Sequence, residues 1–297
     1  MTVQITIGIC VRNCEKDVER IVKNVSGQDF LHKNIEVIFV DDGSEDNTVS
    51  LISQMLPSLD ITSKLFHHKW KGLGYSRNVV LKNAKGDYIV WVDDGILLSK
   101  DYIQKNTRFL EKNSNVGIVK GIIDVYSGSN HIRTLENMAS LVFFRKYAGK
   151  FTTKLPGIGG SIYRVKSARQ VGGFDEQIRG ANEDTDIAYR IKSAGWKIYI
   201  SQTNFSLIHN EKLNKVWIKN YWYGYGAHFN LHKHRELRTI LYKSTPLAGF
   251  LQGILIFNTA YKLTHKKIAF LLPFFITIRR IAFCLGFIKS HSDSYGH

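Results

Sequence analysis

The side chains best suited to chemistry in this chain are carboxylates set directly after apolar runs. Val40-Asp41-Asp42-Gly43-Ser44 follows IEVIFV (35–40) and puts two acids on a loop whose glycine permits tight backbone geometry. Acids so placed can accept hydrogen bonds from a ribose or a base N–H, although Ser44 or Asp46 could equally cap the helix that follows. Trp91-Val92-Asp93-Asp94-Gly95 repeats the arrangement, and paired carboxylates past a strand can hold a divalent cation through oxygen, just as Asp-Asp-Gly can be an ordinary turn. In GANEDTDIAYRIKSAG (180–195), Glu183, Asp184 and Asp186 fall in the first turn of a helix that should begin near Asn182, shortly after Asp175 and Glu176. The helix dipole favours acids there, and a carboxylate so placed can also act as a general base. His209, in LIHNE, closes another apolar segment and can serve as a metal ligand if carboxylates lie close.

KGLGYSRN (71–78) opens a helix with Gly72 and Gly74, which suggests a dinucleotide fingerprint. Its third glycine position is Arg77, and no acidic residue ends a second strand in the right place, so a Rossmann cofactor site is excluded. An arginine on the first turns of that helix can instead face a pyrophosphate.

These residues need a scaffold, and the first 120 residues supply one. Strand-like runs at 3–11, 35–40, 61–66, 88–92 and 116–120 alternate with helical patterns at 15–25, 48–56, 73–84 and 101–112. Such alternation implies a parallel sheet with helices on both faces, and in such sheets ligands bind at the carboxyl ends of the strands, where the acidic clusters fall. From 121 to 212 the pattern is less regular, with a Gly-rich PGIGGSIYR (156–164) and a Gly172-Gly173 turn; 214–235 reads as an aromatic-rich helix.

The 297 residues, 44% hydrophobic, are enough for one large domain and an appendage. Of the net +16, most lies from Lys212 onward, where thirteen Lys and Arg face two acids, Glu236 and Asp293. That stretch is also apolar, which points to an anionic membrane surface and away from nucleic acid. Pro246–Tyr261 is short for a span, and Ile268–Ile288 carries Arg279 and Arg280 at its centre, so helices lying in or dipping into the interface are expected, with a re-entrant hairpin and a pair packed on a soluble domain as the alternatives. Cys10, Cys14 and Cys284 show no pairing pattern, which fits a reducing compartment, and MTVQITIGICV has no secretory features, so the first domain is expected to be cytosolic.

In order and spacing, ICVRNCEKDVERIVKNVSGQDF, VIFVDDGSEDNT, KGLGYSRNVVLKNAKGDYIVWVDD, GGSIYRVKSARQVGGFDE and NEDTDIAYRIKSAGWKI resemble family 2 glycosyltransferases of the GT-A fold over roughly residues 3–212. The resemblance implies an α/β nucleotide-diphospho-sugar transferase fold with a mostly parallel central sheet, followed by C-terminal apolar helices. It makes 1–212 the catalytic domain (donor half 1–120, acceptor half 121–212), 213–243 an aromatic and basic helical segment, and 244–297 membrane-associated helices with a polar tail. It implies that Arg12 and Glu15 line the nucleotide pocket, Asp42 binds the base, Arg77 sits near the diphosphate, and Asp93 holds ribose or metal. Asp184 would deprotonate the acceptor in an inverting single displacement, with Mg²⁺ or Mn²⁺ held by Asp93, Asp94 and His209.

Two departures matter. The family's Asp-x-Asp puts its second Asp where this chain has Gly95, and the Gln-x-x-Arg-Trp of processive members is replaced by NYWYGYGAHFN. The second departure implies transfer of a single sugar to a glycan, lipid-linked or protein acceptor at the cytoplasmic face of the membrane, in cell-surface polysaccharide, glycolipid or protein-glycan assembly. A polyprenyl-phosphate sugar synthase and an inactive nucleotide-sugar-binding protein are the alternatives. Trp217, Tyr221, Trp222, Tyr223 and Tyr225 could stack on a sugar or sit at a membrane interface.

Overall fold

A computed structural model describes residues 4–125, 130–178, 181–238, 241 and 244–296. Parts of the expected strand at 3–11, of the 121–212 stretch (126–129 and Arg179-Gly180), of the 213–243 segment (239–240 and 242–243) and of the tail (His297) lie outside the described residues. The chain forms two compact units: Met1–Ile122, Tyr147–Gln177 and Asp184–Ser206 in the first, Ile123–Lys146, Ile178–Glu183 and Leu207–His297 in the second. The stretch from 121 to 212 thus contributes to both.

The first unit is built on a nine-stranded sheet. Its β-branched runs form β1 (Ile5–Val11), β2 (Ile35–Asp42), β3 (Thr62–His68) and β4 (Tyr88–Trp91), alternating with α1 (Val18–Ser26), α2 (Thr48–Met55) and α3 (Leu73–Asn83). β3, β2, β1 and β4 lie side by side and parallel, as the alternation requires. Helix α1 buries Val18, Ile21, Val22 and Val25 on one face. It starts at Val18, three residues later than the apolar pattern suggests, because Asn13 takes a positive φ and the Asp17 N–H closes a turn on the Cys14 carbonyl. Every residue of β1 and β2 is buried, and each fully buried Ile or Val contributes about 1.5–3 kcal/mol, so this pairing fixes the register. Gly8 lets Trp91 lie across β1: a Cβ there would stand 2.9 Å from the indole ring and 2.7 Å from Val80. The indole in turn meets Tyr163 and Phe174 edge to face.

The sheet continues through β5 (Ile96–Leu98), α4 (Tyr102–Lys112), β6 (Val116–Asp124), β7 (Lys150–Thr152), β8 (Ser161–Arg164), α6 (Val165–Gln170), α7 (Glu183–Ser193) and β9 (Lys197–Leu207). The order is β3-β2-β1-β4-β8-β6-β9-β5, with β7 against β9. Strand β8 is antiparallel to both β4 and β6 and brings the Gly-rich turn before it to the carboxyl end of β4.

The second unit is helical: α5 (His131–Arg145), α8 (Leu213–Lys233), α9 (Pro246–Thr264) and α10 (Leu272–Ser292). Leu135, Met138, Val216, Ala260, Leu272 and Phe275 form its core. Helices α8 and α10 touch backbone to backbone, since a Cβ on Gly224 would fall 1.8 Å from the Phe283 carbonyl oxygen and one on Gly286 would fall 1.9 Å from that of Tyr221. Lys267–Ser292, 26 residues containing an 18-residue window of mean hydropathy 2.0, is the one described helix long and apolar enough to cross a membrane by length and composition.

One cluster of charges in this unit is buried. Arg133 pairs with Glu136 (2.9 Å) and Glu211 (2.6 Å), and Lys219 reaches Glu136 from α8 at 2.9 Å. Burial alone would raise the Glu136 carboxyl, but Lys219, Arg279 and Arg133 together outweigh it and hold the group below the usual carboxylate range. Conversely, Leu247, Leu251, Ile254 and Leu255 of α9 are exposed at one-face helical spacing, Leu255 at 79%, and Phe274, Ile281, Leu285 and Ile288 make a matching stripe on α10.

Candidate active site

The end of β4 delivers Asp93 and Asp94 one residue past the buried Val92. Arg77, on α3 and only 4% exposed, places its guanidinium 3.6 Å from Asp93 Oδ1 and over the Phe174 ring at 5.8 Å. The surrounding protein pushes the Asp93 carboxyl above its usual range; Arg77 opposes that, while Asp94 and Asp184 add to it. Arg20 of α1 anchors the strand end by donating to the Asp94 carbonyl at 2.9 Å and pairing with Asp17.

The Gly157–Gly160 turn lies against both Asp93 and Asp184. A Cβ on Gly159 would stand 2.8 Å from Asp93 Oδ2, and one on Gly157 3.3 Å from Asp184 Oδ2. Only glycines let the backbone approach these carboxylates so closely. In the first turn of α7, Asp184 is oriented at both oxygens: Oδ2 accepts the Ile158 N–H at 3.1 Å and Oδ1 accepts the Thr185 N–H at 2.7 Å.

Beneath the turn lies a residue that the sequence reading passed over. Lys120 of β6, 7% exposed, donates to the Gly157 and Gly159 carbonyls at 2.8 and 2.6 Å. Burial lowers its ammonium to about 8, against the opposing pull of Asp184 and Asp93. Its signal was a lone lysine inside the apolar run VGIVKGII, since a strand buried on both faces has no other reason to carry one.

The two acids that end β2 do a different job. Asp41 accepts the Gly43 and Ser44 N–H groups at 3.1 and 3.0 Å and the Ser44 hydroxyl, and closes on His67 at 2.8 Å. Asp42, 4% exposed, accepts the Lys71 N–H at 2.7 Å and the Gly72 N–H at 3.0 Å. Asp42 therefore secures the backbone entering α3. Neither Ser44 nor Asp46 is the N-cap of α2: that position is Asn47, without a side-chain cap bond, while Asp46 just before it accepts the Thr48 N–H at 3.0 Å.

Arg12 and Glu15 sit on the loop after β1. Glu15 accepts from the Asn47 backbone and side-chain amides, both at 3.2 Å, which ties this loop to the one before α2. Arg12 lies 4.0 Å from Glu45 and 5.7 Å from the ring of Trp70, which is 60% exposed and was also passed over in the sequence. Asp93, with Arg77 beside it, and Asp184 are thus gathered around one turn, Asp94 follows Asp93 in the chain, and Arg12, Glu15 and Asp42 lie on neighbouring strand ends of the same sheet. His209 belongs to the second unit, where its carbonyl accepts from Arg133 Nε at 2.9 Å.

Residues 6–172 match the family described as Glycosyl transferase family 2, more than half of the chain, and the protein belongs to that family. Among curated relatives, an uncharacterized glycosyltransferase of Rickettsia felis is 39% identical over 83 residues, 28% of this chain and 14% of that protein. The poly(ribitol-phosphate) beta-N-acetylglucosaminyltransferase TarS of Staphylococcus aureus is 29% identical over 109 residues, 36% of this chain and 19% of that protein. The aligned stretches therefore span less than a fifth of either relative. Among solved structures, the mannosyltransferase PcManGT of Pyrobaculum calidifontis, in complex with GDP-Man and Mn²⁺, superimposes with a TM-score of 0.69 at 17% identity over 99% of this chain and 88% of that one. TarS residues 1–349 give 0.56 at 16% identity over 98% and 92%. The fold is of the GT-A type.

Proposed function

We propose that the protein transfers a single sugar from a nucleotide-sugar donor to an acceptor hydroxyl, with inversion at the anomeric carbon. The observation that carries this reading is the gathering of Asp93 and Asp184 around a glycine turn braced by Lys120, on a fold of the GT-A type. Solved structures of that fold hold UDP-GlcNAc in TarS and GDP-Man in PcManGT, which supports a nucleotide-sugar donor without fixing its base or sugar.

In this reading Asp184 takes the proton of the acceptor hydroxyl. The acceptor oxygen bonds to the anomeric carbon as that carbon's bond to the phosphate oxygen breaks, and the electron pair leaves with the nucleoside diphosphate. The Ile158 and Thr185 N–H groups hold the carboxylate in place for this step. Arg77 and Lys120 offset the negative charge around Asp93. Trp70 beside Arg12, on the strand-end loops, offers an exposed ring to a nucleobase, while Asp42 acts indirectly by fixing the Lys71-Gly72 backbone.

Asp93 and Asp94 fit Mg²⁺ or Mn²⁺, since both are hard oxygen donors at a strand end, although Gly95 adds no third. When bound, such an ion supplies positive charge to the departing diphosphate. The exposed apolar stripes of α9 and α10, with Trp217 and Trp222 exposed on α8, support association with a membrane. The excess of Lys and Arg beyond residue 212 supports its cytoplasmic face. An acceptor in glycan, glycolipid or protein-glycan assembly at that surface follows from the placement.

Radiolabelled UDP- and GDP-sugars, incubated with the protein with and without Mn²⁺, test the reading. At least one should be hydrolysed or transferred, faster with the ion. No turnover of any donor under either condition would refute it.

A further inference from the structure

The second unit holds another polar centre that glycosyl transfer does not use. Phe143 and Phe144 of α5, Asn220 of α8, Gln252 of α9 and Arg279 and Arg280 of α10 line a cavity of about 230 Å³. At about 30 Å³ per water, it has room for a group several times that size.

The two arginines are held by neutral groups. Arg279 Nε donates to Asn220 Oδ1 at 3.1 Å, and its guanidinium stands 5.7 Å from the Phe275 ring centre. Arg280 reaches Gln252 Oε1 at 3.4 Å. Among the described residues, neither lies within ion-pair distance of a carboxylate. Arg279 adds to the positive charge acting on Glu136, which already faces Arg133 and Lys219, so Arg280 has no anion of its own. The fold makes room for this side chain: a Cβ on Gly249 of α9 would stand 2.7 Å from Arg280 Cγ. A part-buried guanidinium at Arg280 with no counter-charge of its own, set beside the like charge of Arg279, is costly, and a phosphate, matched by the planar donor fork, relieves that cost.

The surroundings say which phosphate. On α9, Leu251 and Leu255 flank Gln252, and on α10, Ile281 and Leu285 follow Arg280; all four are exposed. A free phosphate has no use for such neighbours, whereas acyl chains do. We propose that this cavity binds the phosphate headgroup of an anionic membrane lipid, gripped by Arg279 and Arg280, with its chains along the exposed faces of α9 and α10. The inference rests on the reading of those faces as membrane-contacting, and the two are tested separately.

Full-length protein is measured against phosphatidylcholine vesicles with and without phosphatidylglycerol, which tests membrane contact. Calorimetry with dihexanoyl phosphatidate, dihexanoyl phosphatidylcholine and inorganic phosphate, each below any micelle concentration, tests the cavity. Dihexanoyl phosphatidate should bind at least about tenfold more tightly than either of the other two, as expected for a charge-assisted contact backed by apolar burial. Arg280→Gln should remove about tenfold of that affinity, Arg280→Lys should lose part of it with its fork, and Lys267→Gln, on the exposed connection, should change nothing. Circular dichroism checks that each variant is folded; if Arg280→Gln does not fold, Arg280→Lys decides. Equal affinity for phosphatidate in wild type and both Arg280 variants, or equal binding of phosphatidylcholine, would overturn the assignment. Tight binding of inorganic phosphate alone would overturn the lipid as occupant. Vesicle binding without phosphatidate binding would sink the cavity and leave membrane contact standing; absence of vesicle binding would sink the latter.

Discussion

The two units treat water in opposite ways. In the first, every residue of β1 and β2 is buried and the polar groups of the site gather where the strands end. In the second, Arg133, Glu136 and Asn220 are buried while Leu247, Leu251, Leu255 and Phe274 are exposed. Burying charge and exposing leucine is unfavourable in water and favourable against hydrocarbon. Under the proposed membrane contact, the contrast is that of one chain folded for two solvents, in which hydrophobic patterning is read correctly only when each solvent is known.

The contrast breaks most readily at Glu136. Glu136→Gln leaves Arg133 and Lys219 with Glu211 as their one nearby carboxylate and should destabilise the second unit by about 1–3 kcal/mol, measured by urea denaturation followed through tryptophan fluorescence. The native carboxyl is depressed, so its contribution is full above the unfolded Glu value of about 4.3 and is lost as pH falls through the lower folded value. The first unit should show the complementary behaviour, a functional loss without a structural one. Asp93→Asn should lower transfer about 100- to 1,000-fold and flatten the Mn²⁺ response while the melting temperature holds. Lys120→Met removes two bonds to the glycine turn and should cut turnover about tenfold with little change in donor affinity. Because Lys120 acts by positioning, trypsin should then cleave faster after Lys154, just ahead of the turn, and unaltered cleavage would count against that role. The smallest effect is the most diagnostic of the two solvents. Leu251→Ser with Leu255→Ser should move stability in detergent-free buffer by no more than about 0.5 kcal/mol yet weaken vesicle binding, whereas removing buried Ile38 by Ile38→Ala should cost about 2–5 kcal/mol.

The parallel half of the sheet was legible because its strands are four to eight residues of β-branched sequence bounded by turn residues. Strands Ile96–Leu98 and, beyond 120, Lys150–Thr152 are three residues long, too short to show alternation, and α5 is hidden by a core face interrupted by Arg133, Glu136 and Asn137. Asp93, Asp94 and Asp184 were legible from acids at strand and helix ends. Lys120 and Trp70 were not, since their significance depends on which backbone passes beside them. Asp42 shows the reverse: its motif was plain, but its carboxylate is occupied by two N–H groups some thirty positions away in sequence. Arg279 and Arg280, which made the last helix look a poor span, turn to Asn220 and Gln252, a choice that no linear pattern reveals.

The central claim is that Asp184 removes the acceptor's proton, and Asp184→Asn tests it directly. With a donor that the wild type turns over, single-turnover transfer and calorimetric donor binding are measured on the same preparation. The account predicts transfer slowed about 100- to 10,000-fold with donor affinity within a few-fold of wild type. Transfer at the wild-type rate would contradict it.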